Sequence, residues 1–509
     1  MIAAMLPLFV AGPLLLAGVL LALGRRPRLQ ASVLLATTVS ALIAGALVIV
    51  TVFDGGPIAH GVGLWPVGIA IPFAADMLTA LLLTATALLT TVCAMFALAS
   101  RTAEGRYFAP LVLVLMGGVN GALLTADLFN LFVFIEVMLL PAYALLVLAG
   151  PGRGALRQVR GARVYVTVNL LTSTIFLAGV GFIYGTAGTV NLGELAGIAR
   201  STPEVAVAAG ICLFALSIKA AVVPVHGWLA RTYPATSPAV TALFSGLHTK
   251  VAIYAIYRIY AQLFEGDERF LTIGIVVFTI TMIVGVFAAV GESTARSVLA
   301  FHMVSQIGYI LIGVALFTGA GLAAGIFYLI HHMFVKAALF LSTGAIEVRY
   351  GTGVLARLGG MAAREPWLAG AFLIAAFSMA GLPPFSGFVA KLTIVMASLE
   401  AGQIAVVIAM LVVSLITLLS MLKLWSGIFW GELPERLQEP PSPSHADGGV
   451  AVRTRSRVRV GAALTAPAVI LAVVTIALGI GAEGLLTLTE IAAAGLLDTS
   501  AYTEAVMHS

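Results

Sequence analysis

The chain has 509 residues, of which 61% are hydrophobic and 10% charged, and its mean hydropathy is +1.09. Soluble domains carry about 25% charged residues, so this composition excludes a water-soluble protein and describes an integral membrane one. The net charge of +5 would suit nucleic acid, but the 27 Lys and Arg follow membrane topology instead, so no nucleic-acid partner is expected.

Apolar runs of about 20 residues, the length a helix needs to cross a bilayer, predict roughly fourteen spans in an all-α fold. They fall near 2–23, 31–52, 73–99, 109–126, 128–149, 164–185, 204–230, 237–262, 270–291, 297–318, 321–347, 366–400, 403–428 and 462–484. The first follows Met1 without a basic leader or a small-residue cleavage site, so it reads as a span and not a removed signal. Cys93 and Cys212 lie in separate runs with no CxxC or Cys/His spacing. That pattern predicts no metal, no iron–sulfur cofactor and no disulfide framework. With the N-terminus outside, nineteen Lys/Arg fall in inner loops and only Arg200 and Arg269 outside. This asymmetry predicts external termini.

Glu136 lies well inside 127–143, DLFNLFVFIEVMLLPAY, whereas Asp76 and Asp127 sit nearer the outer boundary, where an interfacial or capping role is the plain reading. The next signal is the run 211–234, ICLFALSIKAAVVPVHGWLARTYP. Lys219 sits in its middle, and a lysine at that depth must face the bundle interior or water and find a partner. Pro224 removes a helical hydrogen bond five residues on, so the helix should break beside Lys219. A broken helix with a buried ionisable group is how many transporters build a midplane site. Glu136 is the counter-charge to expect, its distance setting whether the lysine keeps its proton. A fixed structural ion pair is the alternative.

Five more Lys and Arg fall within spans. Arg258 and Lys423 are close enough to span ends to snorkel. Lys250, Lys336 and Lys391 are too deep for that and read as functional. In 328–340, YLIHHMFVKAALF, His332 and Lys336 share a helix face, and His331 points about 100° away. A histidine stacked on a lysine suits a proton relay. His248 precedes Lys250 by two and faces differently; relay and polar filler both fit it. His302 and Gln306 form another i, i+4 polar pair and candidate hydration points.

Residues 224–230, PVHGWLA, match 384–390, PFSGFVA, in spans five apart, which therefore cross in opposite directions. The odd offset makes this repeat inverted. Pro383 and Pro384 should break the twelfth span as Pro224 breaks the seventh, with Lys391 beyond the break on the external side. Glu136, Lys219, Lys250, His332/Lys336 and Lys391 then form a chain of ionisable groups across the midplane with an outward exit. The glycines of 319–325, GAGLAAG, lack dinucleotide spacing and read as a helix connection. The polar stretch 431–461, with EPPSPSHADGG and RTRSRVR, reads as a flexible, topogenic inner loop, with contact to anionic lipid as the alternative.

The segments DLFNLFVFIEVMLLPAY, SIKAAVVPVHGWLARTYPATSPAVTALFSGLHTKVAIYA, SVLAFHMVSQIGYI, FYLIHHMFVKAALFL and SMAGLPPFSGFVAK resemble the antiporter-like subunits. That family comprises subunits of Mrp-type cation/proton antiporters and the L, M and N subunits of respiratory complex I. The resemblance implies fourteen helices, with helices 4–8 and 9–13 as inverted repeats and helices 7 and 12 broken. The implied division is 1–108 for helices 1–3, 109–262 and 263–430 for the repeats, 431–461 for a loop, and 462–509 for helix 14 and a tail. The family's helix-5 glutamate maps onto Glu136, its lysines of helices 7, 8 and 12 onto Lys219, Lys250 and Lys391, and its helix-11 histidine and lysine onto His332 and Lys336. His248 departs from the apolar residue expected there. The wording is most similar to the D-type antiporter subunits, with N- or M-type complex I subunits as the alternative. The implied function is proton translocation in a bacterial plasma-membrane complex exchanging Na⁺ or K⁺ for protons, with A- and C-type neighbours and no cofactor.

Overall fold

A computed structural model of the chain describes residues 2–24, 26–65, 70–148, 155–432, 434 and 459–509. Most of the expected 431–461 loop, and the arginines at 25, 153, 436, 453, 455 and 457, lie outside the described residues. Only helices or closed barrels satisfy every backbone group inside lipid, and this chain is helical. In chain order the helices are α1 Leu8–Ala22, α2 Pro27–Gly55, α3 Met77–Ala99, α4 Phe108–Leu124, α5 Leu128–Leu148 and α6 Ala155–Ala187. An interrupted pair follows, α7a Pro203–Lys219 and α7b Gly227–Thr232, then α8 Pro238–Ile259, α9 Glu268–Gly291, α10 Ala295–Leu316 and α11 Gly319–Tyr350. A second interrupted pair, α12a Pro366–Ala380 and α12b Ser386–Glu400, precedes α13 Ile404–Ile428, α14 Ala462–Ile480, α15 Ala482–Leu497 and α16 Ser500–Met507. Among the described residues, 11 helices are long and apolar enough to cross a membrane, besides the shorter apolar helices α4 and α12a.

Burial sorts these helices into two kinds. α2, α9, α13 and α14 leave much of their apolar surface outside, as Ile43, Leu47, Ile273, Leu415 and Val473 do, which suits lipid-facing helices. The most apolar 18-residue stretches of α8 and α11 are fully buried. α11 packs against α8, α10, α12a, α12b, α14 and α15, and α8 against α3, α4 and α7a as well. The two helices richest in His and Lys therefore run through the centre of the bundle, where charged groups avoid lipid.

Both interruptions are satisfied by side chains. α7a stops at Lys219, the chain turns through Ala221 in the left-handed region, and α7b starts three residues after Pro224. Thr281 Oγ1 accepts the Val223 N–H at 3.1 Å, and the Trp228 indole donates to the Ile218 carbonyl at 2.9 Å. α12a stops at Ala380, Gly381 takes φ 89°, and α12b restarts after Pro384. There the Ala380 carbonyl accepts from Lys391 Nζ and Ser414 Oγ, and Ser378 Oγ accepts the Gly387 N–H. The matching heptapeptides occupy the same place in each pair, spanning the break and the start of the second half.

Three features depart from the sequence reading. Residues 319–325 are the first turns of α11 and not a connection; Thr318 caps them by accepting the Gly321 N–H at 3.1 Å. Their glycines admit close packing, since a Cβ on Gly325 would lie 3.0 Å from Gly313 Cα. The tail after α14 is helical, with α15 packed on α11 and α3. Finally, the α2–α3 connection holds a two-stranded antiparallel sheet, β1 Ile58–Gly61 against β2 Pro72–Ala75. The Ala3–Met5 turn touches β1 and α16 touches both strands, so the two chain ends meet on one face.

Candidate functional site

Lys219 is the last residue of α7a and is 2% exposed. Its Nζ donates to Asn169 Oδ1 of α6 at 3.1 Å. Glu136, half-buried on α5, lies within electrostatic reach of Lys219, but the two form no contact ion pair, and Glu136 Oε1 has no hydrogen-bond partner among the described residues. The expected carboxylate partner therefore acts at a distance, and an amide holds the lysine. Sequence reasoning missed Asn169, although an amide inside the apolar run of α6 was a signal, because a buried amide needs a partner. Asn169 also donates to the Tyr165 carbonyl one turn back, at 2.9 Å.

α8 carries the next groups. His248 Nδ1 and Tyr165 Oη are 2.6 Å apart, and the histidine ring lies against Phe244 at 4.5 Å between centroids. His248 is within electrostatic reach of Lys219, so α8 meets the α7a break through this ring. Lys250, two residues on and 2% exposed, donates to Thr249 Oγ1 at 3.2 Å. It acts electrostatically on both His332 and Lys336 of α11. Those two are fully buried, and among the described residues neither the His332 ring nitrogens nor Lys336 Nζ has a hydrogen-bond partner. Lys336 Nζ stands 6.0 Å from the Phe340 ring centre. Unpartnered polar groups at such depth are costly unless water reaches them.

His331 faces away from Lys336, as the helical spacing requires, and its Nδ1 meets Ser386 Oγ at 2.8 Å across the α12 break. On α10, His302 Nε2 meets Ser420 Oγ at 2.7 Å, and Gln306 Oε1 accepts from the Tyr328 hydroxyl. His302 lies within reach of both Lys336 and Lys391, a more central place than the hydration point its sequence position implied. Lys391, on the second turn of α12b, donates to the Ala380 carbonyl and to Ser414 Oγ, both at 2.9 Å, with Nζ 5.5 Å from the Tyr309 ring centre. Pro224, Pro383 and Pro384 sit in the two breaks beside Lys219 and Lys391. The lysines and histidines picked out from the sequence are buried and Glu136 is half-buried, with Asn169, Tyr165, Thr249, Ser386, Ser414 and Ser420 as their hydrogen-bond partners.

Other buried charges are of a different kind. Arg258 does not snorkel; its side chain is 3% exposed and pairs with Asp76 at 2.6 Å, because the end of α8 is itself covered. Asp76 also caps α3 by accepting the Thr79 N–H at 3.0 Å, and Asp127 accepts that of Asn130 at 2.7 Å, so capping holds for both. Tyr502 of α16 lies over the Arg258 guanidinium at 4.3 Å. Lys423 reaches a helix end as expected, donating to the Val290 and Glu292 carbonyls at 2.7 and 2.8 Å.

Residues 125–417 match the family described as "NADH:quinone oxidoreductase/Mrp antiporter, TM". The D-type subunit of the Na⁺/H⁺ antiporter of Alkalihalophilus pseudofirmus is 35% identical over 99% of this chain and 98% of its own. Among solved structures, a chain of the Mrp complex from Dietzia sp. DQ12-45-1b is 55% identical over 100% of both chains, with a TM-score of 0.94. A chain of respiratory complex I from Thermus thermophilus is 25% identical over 97% of this chain and 100% of that one, with a TM-score of 0.79.

Proposed function

The chain belongs to the NADH:quinone oxidoreductase/Mrp antiporter family of membrane subunits, and from that premise we propose that it is the proton-translocating D-type subunit of a multisubunit Na⁺(K⁺)/H⁺ antiporter. It is a transporter subunit and not an enzyme. The single observation that carries the reading is the series of the half-buried Glu136 and the buried Lys219, His248, Lys250, His332, Lys336, His302 and Lys391, in which each group lies within electrostatic reach of another or on one short stretch of helix with it. A proton moving along such a series changes the charge felt by the next group, which is how a relay advances without a large conformational change.

In this reading Lys219, at the α7 break, takes and releases the proton under the control of Glu136. Lys250, His332 and Lys336 pass it through the core, and Lys391 delivers it at the α12 break. Residues 109–262 and 263–430 act as inverted five-helix repeats within fourteen crossings, each broken helix counted once. The arginine-rich face is cytoplasmic and both chain ends are external, in a bacterial plasma membrane. The chain sits beside A- and C-type neighbours. Among the described residues Glu136 is the one carboxylate near the series, too few oxygens for a sodium site, so the cation is bound elsewhere or at a shared surface. A complex I role would leave redox chemistry to partner subunits, and the higher identity to the antiporter relatives favours the first reading.

The test is antiport in everted vesicles from an antiporter-deficient strain carrying either the full complex or this chain alone. The full complex should release protons on addition of Na⁺ or K⁺, and the lone chain should not. Cation-dependent release by the lone chain would show that it needs no neighbours.

A further inference from the structure

A cavity of about 520 Å³ opens on the arginine-rich face, lined by Arg160, Gly161, Arg163 and Val164 of α6, Ala230 and Arg231 of α7b, Pro234, and Ser297 of α10. It lies apart from the buried lysines. All three arginines are exposed, and among the described residues none has an ion-pair or hydrogen-bond partner. The chain's other arginine-centred pairs, such as Arg258 with Asp76 and Arg296 with Glu347, do have carboxylates. Three cations lining one hollow make it attractive to an anion.

Depth identifies the anion. α6 has 33 residues, about 50 Å of helix, against a hydrocarbon core of ~30 Å. Arg160 and Arg163 lie in its first three turns, immediately before the apolar run that begins at Val164, which puts their guanidinium groups at headgroup level. Val164, Ala230 and Pro234 supply an apolar wall suited to the glycerol and upper acyl carbons. The floor is rigid: a Cβ on Gly161 would lie 2.7 Å from Ala235 Cβ, so α6 rests directly on the turn after α7b.

We propose that this hollow binds the phosphate of an anionic phospholipid through Arg160, Arg163 and Arg231. Guanidinium groups hold phosphate with paired, charge-assisted hydrogen bonds, and basic pockets between helices at this depth suit lipid headgroups. The bound headgroup bridges α6 and α7b. α6 carries Asn169, the hydrogen-bond partner of Lys219, and α7b is the half of helix 7 beyond the Lys219 break. A lipid here braces both sides of the Lys219 site, a consequence that rests on the transport reading, whereas the binding itself does not.

The experiment uses the purified full complex, stripped in neutral detergent and returned to phosphatidylcholine bilayers with or without phosphatidylglycerol. Phosphatidylglycerol retained per complex is counted by mass spectrometry, and thermal unfolding is followed beside it. The wild type should retain phosphatidylglycerol and unfold at higher temperature with it. Arg160→Gln, Arg163→Gln and Arg231→Gln should each weaken retention about fivefold, and the triple variant should lose it. The single variants keep the test open should the triple fail to assemble. Equal retention by the single variants would overturn the proposal. So would an unfolding shift reproduced by inorganic phosphate alone, which would make this a free-anion site. Protection of the three arginines by a neighbouring subunit's carboxylates in the lipid-free complex would overturn it too.

Discussion

Replacing Lys219 by arginine separates a proton carrier from a fixed charge. Arginine keeps the positive charge and similar reach, so a purely structural partner of Glu136 would be preserved. An ordinary guanidinium holds its proton far above working pH and is neutral only about once in 10⁵ at pH 8. If each cycle requires a neutral residue here, the variant loses up to about five orders of magnitude, equivalent to ~7 kcal/mol. The site adds a separate cost. Lys219 Nζ meets one side-chain acceptor, Asn169 Oδ1 at 3.1 Å, in a position 2% exposed. A guanidinium brings five N–H donors to it, and each left unpaired costs about 1–3 kcal/mol. Assembly must therefore be followed on a native gel beside antiport in everted vesicles between pH 7 and 9. The expected result is an assembled complex with no measurable antiport. Near wild-type turnover by the arginine variant would mean that Lys219 never releases its proton and that the relay through α7a is wrong.

Asn169→Leu should slow antiport about tenfold or more while the complex still assembles, because Lys219 loses a charge-assisted hydrogen bond of ~1.5–3 kcal/mol; unchanged vesicle rates would reduce Asn169 to packing. Asn169→Asp should stop transport altogether, since a carboxylate at contact distance holds the lysine proton by ~4 kcal/mol at an effective dielectric of 20, and an active aspartate variant would contradict this. Lys391→Ala should block antiport with complex abundance unchanged on a native gel; loss of assembly would instead make its bonds to Ala380 and Ser414 structural. Arg258→Gln should leave the Asp76 charge buried and unpaired, destabilising the chain by about 3–5 kcal/mol and freeing α16 to proteolysis, whereas an unchanged melting curve and digestion pattern would argue that the pair contributes nothing.

The helices and their ionisable groups were legible in the sequence because lipid imposes length on the first and scarcity on the second. Lys219, Lys250, Lys336 and Lys391 stand out in apolar runs where nothing else explains them, and Pro224 and Pro384 announce the breaks. Partners were far less legible. Asn169 lies 50 residues from Lys219, and Ser414 lies 23 from Lys391; nothing in local spacing links them. The same holds for Arg258 and Asp76, 182 residues apart. Distance from a span end suggested that Arg258 could snorkel, but Asp76 and Tyr502 of α16 cover that end, and a covered end is a tertiary fact. The glycines at 319–325 misled for the converse reason: loop-like composition locally, chosen for close approach to α10 and Tyr257.

The division of labour between the two cation types follows from their chemistry. Arg258 and Arg296 each contact a carboxylate, Asp76 and Glu347, near the ends of the bundle. A guanidinium does not deprotonate at working pH, so a buried arginine is a permanent charge and needs a permanent counter-charge. Among the described residues the four central lysines contact none; they meet an amide, hydroxyls, a carbonyl or, for Lys336, no hydrogen-bonding group. A lysine has a neutral form, so it tolerates a site that provides no fixed anion. A contact carboxylate would favour the charged form throughout the cycle, whereas neutral partners and a carboxylate kept out of contact leave both forms accessible. The arginines hold the bundle because they cannot lose a proton. The lysines are placed where losing one is tolerated.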